Sequence, residues 1–285
     1  RRSPMTRTRP VTLRARAPRP CSSPLPLACP HLPALFAARR ALQALQETFA
    51  TVDTALLEHT DSMDKRRHGG DARYVRSGSC GTVCLVVGNE AHVANVGDSS
   101  CVVYRRKATA AAPLAEMISI DHKAGLQSER DRVAAAGGTT EQKTQELQGF
   151  LCWKSRVVPV GPVRVQPGGL AVSRAFGAGH SKLERLHGKP GCVVCEPAMR
   201  RLTLDAELLC LVLASDGVWD NVRKLTDLHS TLKQTITMAA DVRRAARFAA
   251  EAVVAHSMRY SPSAEGQDNT TALVVIVGPE AAAAA

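Results

Sequence analysis

The stretch Leu208-Leu209-Cys210-Leu211-Val212-Leu213-Ala214-Ser215-Asp216-Gly217-Val218-Trp219-Asp220 decides how the rest of the chain is read. Its first seven residues are apolar without polar alternation, the pattern of a strand buried on both faces. The run stops at Ser215-Asp216-Gly217, where glycine permits a tight turn and Asp216 is left at the strand's end. A carboxylate in that position either caps the turn or holds something, and Asp220 follows four residues later. Taken alone, the stretch favours the cap, because Asp is an ordinary turn residue. What shifts that balance is Asp268, near the far end of the chain.

Working outward, Asp268-Asn269-Thr270 opens a strand over 271–277. If that strand and 208–214 are antiparallel neighbours, the end of one lies beside the start of the other, and Asp216 and Asp268 share a rim. Ile118-Ser119-Ile120 reads as a short strand ending in Asp121, and Asp220 lies one turn past Asp216. Four carboxylates could then gather. Unpaired, they would repel and raise each other's pKa values. A hard divalent cation with oxygen ligands, Mg²⁺ or Mn²⁺, resolves that conflict. The competing reading is four turn or cap aspartates that never meet.

Composition narrows the function classes. The formal charge of +11 suggests nucleic acid until it is located: the first 46 residues carry nine Arg and no acid, and Glu47 is the first carboxylate. Removing nine positive charges from +11 leaves +2 for the remainder. With only 4% aromatic residues there are few platforms for stacking bases, so no nucleic-acid partner is expected. No apolar run approaches the ~20 residues of a membrane helix, so no membrane partner is expected either. Nine cysteines scattered through apolar runs read as reduced thiols in an intracellular compartment, cytoplasmic or nuclear. Cys192-Val193-Val194-Cys195 has CxxC spacing but no second pair for zinc, and reads as core strand.

Residues 1–34 form an Arg/Pro-rich extension expected to be disordered; the sharper alternative is an organelle-targeting peptide. Residues 35–278 make one folded domain, and the alanines of 279–285 a low-complexity tail. Within the domain, 35–59 has helical periodicity through Leu42, Leu45, Phe49, Val52 and Leu56, and 60–76 reads as a loop. Thr82–Val87 and Ala91–Val96 make a hairpin, and Gly97-Asp98-Ser99 turns the chain into 101–104, with Asp98 as a turn residue. Ser128-Glu129-Arg130-Asp131 resembles a capping box opening a helix to Ala136, closed by Gly137-Gly138. Strand-like pieces lie around 157–165, and Arg174 is either a surface charge or a site residue. A last helix starts after the N-cap Asp241, with Val242, Ala245, Ala249, Val253 and His256 on one face.

Six segments, in order, carry a resemblance. They are Ser77-Gly78-Ser79-Cys80-Gly81; Val93-Ala94-Asn95-Val96-Gly97-Asp98-Ser99; Asp121-His122-Lys123 with Ala134-Ala135-Ala136-Gly137-Gly138; Leu170-Ala171-Val172-Ser173-Arg174-Ala175-Phe176-Gly177; Ala214-Ser215-Asp216-Gly217-Val218-Trp219-Asp220; and Asp268-Asn269-Thr270-Thr271. Over roughly residues 41–277 the chain resembles the metal-dependent protein phosphatases of the PPM (type 2C) family. The resemblance implies an α+β fold, a four-layer α-β-β-α sandwich of two antiparallel sheets flanked by helices, with its N-terminal strands incomplete here. It implies Mg²⁺ or Mn²⁺, a phosphoserine or phosphothreonine protein as substrate, a monomer, and hydrolysis by metal-activated water. Asp216 and Asp268 match ligands of the family's dinuclear site, and Asp121 and Asp220 the carboxylates of its additional metal site.

Two departures temper what the resemblance implies. The family's phosphate-holding Arg and its Asp-Gly-His-Gly-Gly motif, whose Asp bridges two metals, have no counterpart. Arg66-Arg67-His68-Gly69-Gly70 lacks the Asp-Gly and lies after the 42–56 helix rather than before it. Ala178 stands where the family usually has an Asp. The catalytic residues of the family are thus unassigned, low turnover is expected, and the alternative function is a catalytically inert pseudophosphatase that binds phosphoproteins or partners.

Overall fold

The computed structural model describes residues 32–66, 73–147, 156–239, 241–260 and 268–278, and the side chains among them except 32–38 and 66. The predicted N-terminal extension falls almost wholly outside these residues, and the C-terminal tail does so entirely. The helices are α1 (Leu32–Arg66), α2 (Gln127–Ala135), α3 (Gly179–Lys182), α4 (Asp216–Trp219), α5 (Asp227–Met238) and α6 (Val242–Tyr260). The strands are β1 (Gly78–Ser79), β2 (Gly81–Val87), β3 (Glu90–Val96), β4 (Ser100–Arg105), β5 (Ala115–Met117) and β6 (Thr139–Leu147). They continue with β7 (Arg156–Gln166), β8 (Phe176–Gly177), β9 (Ala198–Thr203), β10 (Leu208–Ala214) and β11 (Ala272–Ile276).

Two antiparallel sheets carry the fold, one of order β11-β10-β4-β5 and one of order β2-β3-β9. β10 is central, and every one of its seven side chains is buried. Successive strand residues point to opposite faces, so an unbroken apolar run needs packing partners on both. One face gives Leu209, Cys210 and Val212 to a core closed by Leu228 and Leu232 of α5 and Ala249 and Val253 of α6. The other gives Leu208, Leu211 and Leu213 to the space between the sheets, against Ala91 and Val93 of β3. On the outer face of the second sheet, Leu45 and Phe49 of α1 pack on Ala94 and Val96. The layers therefore run α1, sheet, sheet, α5/α6, the α-β-β-α sandwich expected.

Local differences have physical causes. α1 runs on to Arg66 instead of giving way to a loop after residue 59, because Thr60 satisfies itself on the carbonyls of Leu56 and Leu57 and Asp64 accepts the backbone N–H of Tyr74 and Val75. The short strand read at 118–120 is instead β5, Ala115–Met117, so Asp121 lies in the loop beyond it. Ser128 caps nothing, since the N-cap is Leu126 and Glu129 is turned inward. Asp241 does cap α6, accepting from the N–H of Arg243 and Arg244, but Val242 faces solvent while Ala245, Ala249 and Val253 are buried. α5 has no counterpart in the sequence reading; its buried Leu228 and Leu232 are too few to set a clear period. Cys192 and Cys195 sit outside the strands, on a stretch making isolated bridges to Arg174 and Pro190, and burial raises both thiols. No described helix is long and apolar enough to cross a membrane.

Candidate metal centre

The site is built where three strands stop. Ala214 at the end of β10 pairs with Ala272 at the start of β11 and with Ser100 at the start of β4. The residues just beyond those ends therefore share one rim: Asp216 after β10, Asp268 before β11, and Asp98 before β4. Antiparallel pairing of 208–214 with the C-terminal strand was the condition for bringing Asp216 and Asp268 together, and it holds.

Local chemistry fixes each position. Ser215 stitches the two chain segments, its N–H on Thr271 O (3.1 Å) and its Oγ on Asn269 O (3.1 Å), while Thr271 N–H returns to that Oγ (3.1 Å). A side chain at 217 would meet the Asn269 carbonyl at 2.5 Å, so glycine there lets the 268–269 segment close over α4. Trp219, almost fully buried, donates from Nε1 to the carbonyls of Ala214 (3.0 Å) and Ser100 (3.2 Å) and locks the ends of β10 and β4 together. Asp216 Oδ1 accepts from Gly217 N–H at 2.9 Å, and Asp268 Oδ1 from Asn269 N–H at 2.7 Å. Each aspartate thus holds the N–H of the residue after it, without capping α4 in the case of Asp216, and among the described residues neither second oxygen has a hydrogen-bond partner.

Asp121 reaches the rim from its loop through a hydrogen bond from Ser100 Oγ. Asp220 pairs with Lys123 at 3.4 Å, an exposed contact of little energetic weight. Among the described residues this is the one ion pair that any of these carboxylates makes.

Asp98 is the member that sequence reasoning missed by leaving it as a turn residue. The turn crosses from one sheet to the other, with Gly97 at φ +93° and its carbonyl accepting from His122 N–H (2.8 Å). Cys80 Sγ donates to Asp98 Oδ1 at 3.2 Å. The signal was available: Asp98 follows β3 as Asp216 follows β10, each directly beyond a buried strand.

The electrostatics show that these groups share one field. Burial, then Asp98, then Asp268 and Asp220 hold the Asp216 carboxyl above the usual range, against the Gly217 hydrogen bond. Burial also raises Asp121, with Asp98 and Asp220 adding to it and Ser100 and Lys123 opposing. The Cys80 thiol is pushed up to about 12, chiefly by burial, and so stays protonated. Asp216 and Asp121 are thus each raised by burial first and by neighbouring carboxylates second, as expected of charge with little counter-charge nearby.

The donor set fits a hard divalent cation. No three His, Cys, Asp or Glu among the described residues converge on one point. Mg²⁺ and its relatives typically keep several waters and take one or two carboxylates, so Asp216 with Asp98 or Asp268 meets the requirement. Residue 178 is an alanine, left-handed at φ +53°, whose N–H donates to Ser77 O. It brings no carboxylate.

Arg174, left open between surface charge and site residue, is neither. Its guanidinium holds the buried Glu129 (2.6 Å) together with Arg132 (2.8 Å) and Ser173 Oγ (2.7 Å). This cluster clamps α2 to 173–192, where Arg132 also donates to the carbonyls of Ser173, Gly191 and Cys192. His122, buried beside it, is lowered to about 4 by burial and by Arg174, and is neutral near pH 7.

Gly97 gives a direct test of the rim's backbone. A Cβ there would strike the Cys80 sulfur, and the positive φ disfavours any L side chain. Gly97→Ala is expected to cost about 1–3 kcal/mol by chemical denaturation; a variant as stable as the parent would mean the turn is not held as described.

An α+β sandwich with a rim of oxygen donors suited to a hard cation defines the class. The chain belongs to the protein phosphatase 2C family, whose model matches residues 27–264. It is 33% identical over 232 residues to "Probable protein phosphatase 2C 59" of Oryza sativa subsp. japonica, covering 81% of this chain and 54% of that protein. It is 36% identical over 179 residues to "Probable protein phosphatase 2C 76" of Arabidopsis thaliana, covering 63% and 33%. The chain thus spans about a third to a half of the curated relatives it matches. Among solved structures, a serine-threonine phosphatase 2C from Toxoplasma gondii matches with TM-score 0.60 at 20% identity, over 84% of this chain and 67% of that one. A C. elegans sex determining protein matches at 0.58 and 16%, over 82% and 46%. At those identities the likeness shows the fold alone, and the fold agrees.

Proposed function

We propose that this chain is a metal-dependent protein serine/threonine phosphatase unit that takes Mg²⁺ or Mn²⁺ at the carboxylate rim and acts on phosphoserine or phosphothreonine in proteins. The observation that carries the reading is that Asp98, Asp268 and Asp220 bear on Asp216, and Asp98 and Asp220 on Asp121, with Lys123 the cation paired to the rim among the described residues. Asp216 and Asp268 are the ligands of first choice, with Asp98 beside them and Asp220 and Asp121 toward a neighbouring ion. A bound divalent ion would supply an activated water and neutralise phosphoryl oxygens. The chain's own part is to hold the carboxylates at the strand ends, with Trp219 and Ser215 fixing the backbone beneath them. The family membership and the phosphatase names of the relatives support this reading over the inert binding module.

The test is phosphate release from a phosphothreonine peptide by the 285-residue chain, with Mn²⁺ and with chelator. Slow release that requires Mn²⁺ and disappears in Asp216→Asn is expected. Release indifferent to chelator would contradict the metal role. A chain that binds Mn²⁺ yet releases nothing would favour the inert module.

A further inference from the structure

At the end of the sandwich formed by β5 and β9, both sheets stop and leave a cleft of about 490 Å³ between them. Its lining is electrically lopsided, with Arg105, Arg200 and Arg201 against the single carboxylate of Glu116. Arg105 is the anchor. Its side chain is only 13% exposed, its Nε is buried with no hydrogen-bond partner among the described residues, and Glu116 stands 3.8 Å off. A buried guanidinium N–H without an acceptor costs free energy, which a ligand oxygen would recover. Arg201 leans on Glu90 at 3.5 Å on the surface, and Arg200 makes no ion pair among the described residues. Met117 and Ile120 present apolar surface at 36% and 38% exposure. β5 is paired on one side only, by β4, so its other edge offers unpaired backbone groups.

We infer that this cleft docks an extended acidic segment of a protein partner, added as a strand along β5 with its carboxylates or phosphates on Arg105 and Arg200. Backbone pairing along an open edge gives affinity and alternate side chains give selectivity, which suits a cleft with guanidiniums at one end and Met117 and Ile120 beside them. The lining has no Phe, Tyr or Trp to stack a base, which sets nucleic acid aside. The cleft also leads to the metal rim. From β5 the chain passes through 118–120, where Ile120 O accepts from Asn95 Nδ2 (2.6 Å), directly into Asp121. Along β4, Ser100 at the rim and Arg105 at the cleft are five residues apart, about 17 Å in a strand. An acidic segment held at Arg105 would thus lie about five extended residues from a phosphorylated side chain at the rim. That the partner is the phosphoprotein substrate rests on the function proposed above; the docking does not.

The experiment uses the full chain and a short fluorescein-labelled peptide of alternating Glu and Val, read by fluorescence polarisation. Arg200→Glu with Arg201→Glu removes the two exposed guanidiniums without touching the core. Arg243→Glu with Arg244→Glu makes the same change of net charge at the start of α6, where acids suit the helix N-terminus. The cleft pair is expected to weaken binding about tenfold beyond the α6 pair, and a Ser/Val peptide to bind no better than the cleft variant binds the acidic one. Equal weakening by the two pairs, or none by the cleft pair, would overturn the inference, because binding would then be bulk attraction to a basic chain. So would loss of binding in Asp216→Asn. The unphosphorylated peptide needs neither metal nor turnover, so a failure of hydrolysis leaves this result standing.

Discussion

Glu129→Gln is expected to destabilise the fold by about 3–5 kcal/mol, because it leaves two guanidiniums in a partly buried pocket without their counter-charge. Glu129 is 3% exposed and takes Arg174, Arg132 and Ser173 at 2.6–2.8 Å. Burial alone would raise its carboxyl; the hydrogen bonds from Arg174, Ser173 and Arg132 outweigh that and bring it to about 2, from an ordinary 4.5. A carboxyl whose pKa is depressed by folding stabilises the fold when ionised, a contribution of about 3 kcal/mol here. It is fully present above the unfolded value near 4.5 and is lost as pH falls toward 2. Denaturant unfolding of parent and variant across that window checks the sign: the gap should be wide near neutrality and narrow steadily toward pH 2. A gap that stays constant would mean that the cluster is a packing feature and not an ionic one.

Asp216→Asn should change sign with the metal. Without it, the native Asp216 carboxylate is held against burial and against Asp98, Asp268 and Asp220, so folding raises its pKa and the charged form opposes folding. An acid raised in this way costs nothing below its unfolded value near 3.8, where it is protonated in both states, and its full penalty applies above the folded value. The neutral amide removes that penalty, and the metal-free variant is expected to melt above the parent at pH 7. With Mn²⁺ at a hundred times its Kd the parent gains about 2.7 kcal/mol from linkage, which the variant loses. Thermal melts of both proteins with chelator and with Mn²⁺ should therefore cross in order. A variant less stable than the parent in chelator would show that Asp216 serves the fold as a cap before it serves a metal.

What the sequence made legible follows from how local the signals are. The unbroken apolar run 208–214 announced a strand covered on both faces, and β10 is that strand. Asp216 and Asp268 could be brought together on paper because one pairing rule links the end of one strand to the start of its antiparallel neighbour. The role of Asp98 was hidden because the turn 97–99 reads as an ordinary strand connection, and its crossing between sheets is a tertiary fact. The inward turn of Glu129 was hidden for the same reason: Ser128-Glu129-Arg130-Asp131 has the form of a capping box, but Ser173 and Arg174, which help turn Glu129 inward, lie 44 and 45 residues away. α5 escaped because two buried leucines in twelve residues make a weak stripe, and α1 outran its prediction because Thr60 and Asp64 satisfy backbone groups through polar contacts that periodicity does not register. Asp121 was placed at a strand's end and is instead delivered by a loop, through Ser100 of another strand.

The proposed function requires a divalent-cation site at the rim, centred on Asp216. Calorimetric titration of Mn²⁺ into the parent chain, Asp216→Asn and Asp268→Asn tests it most directly. Saturable binding in the parent, weakened at least about tenfold by each substitution, is predicted. Binding of equal affinity in all three proteins would contradict it.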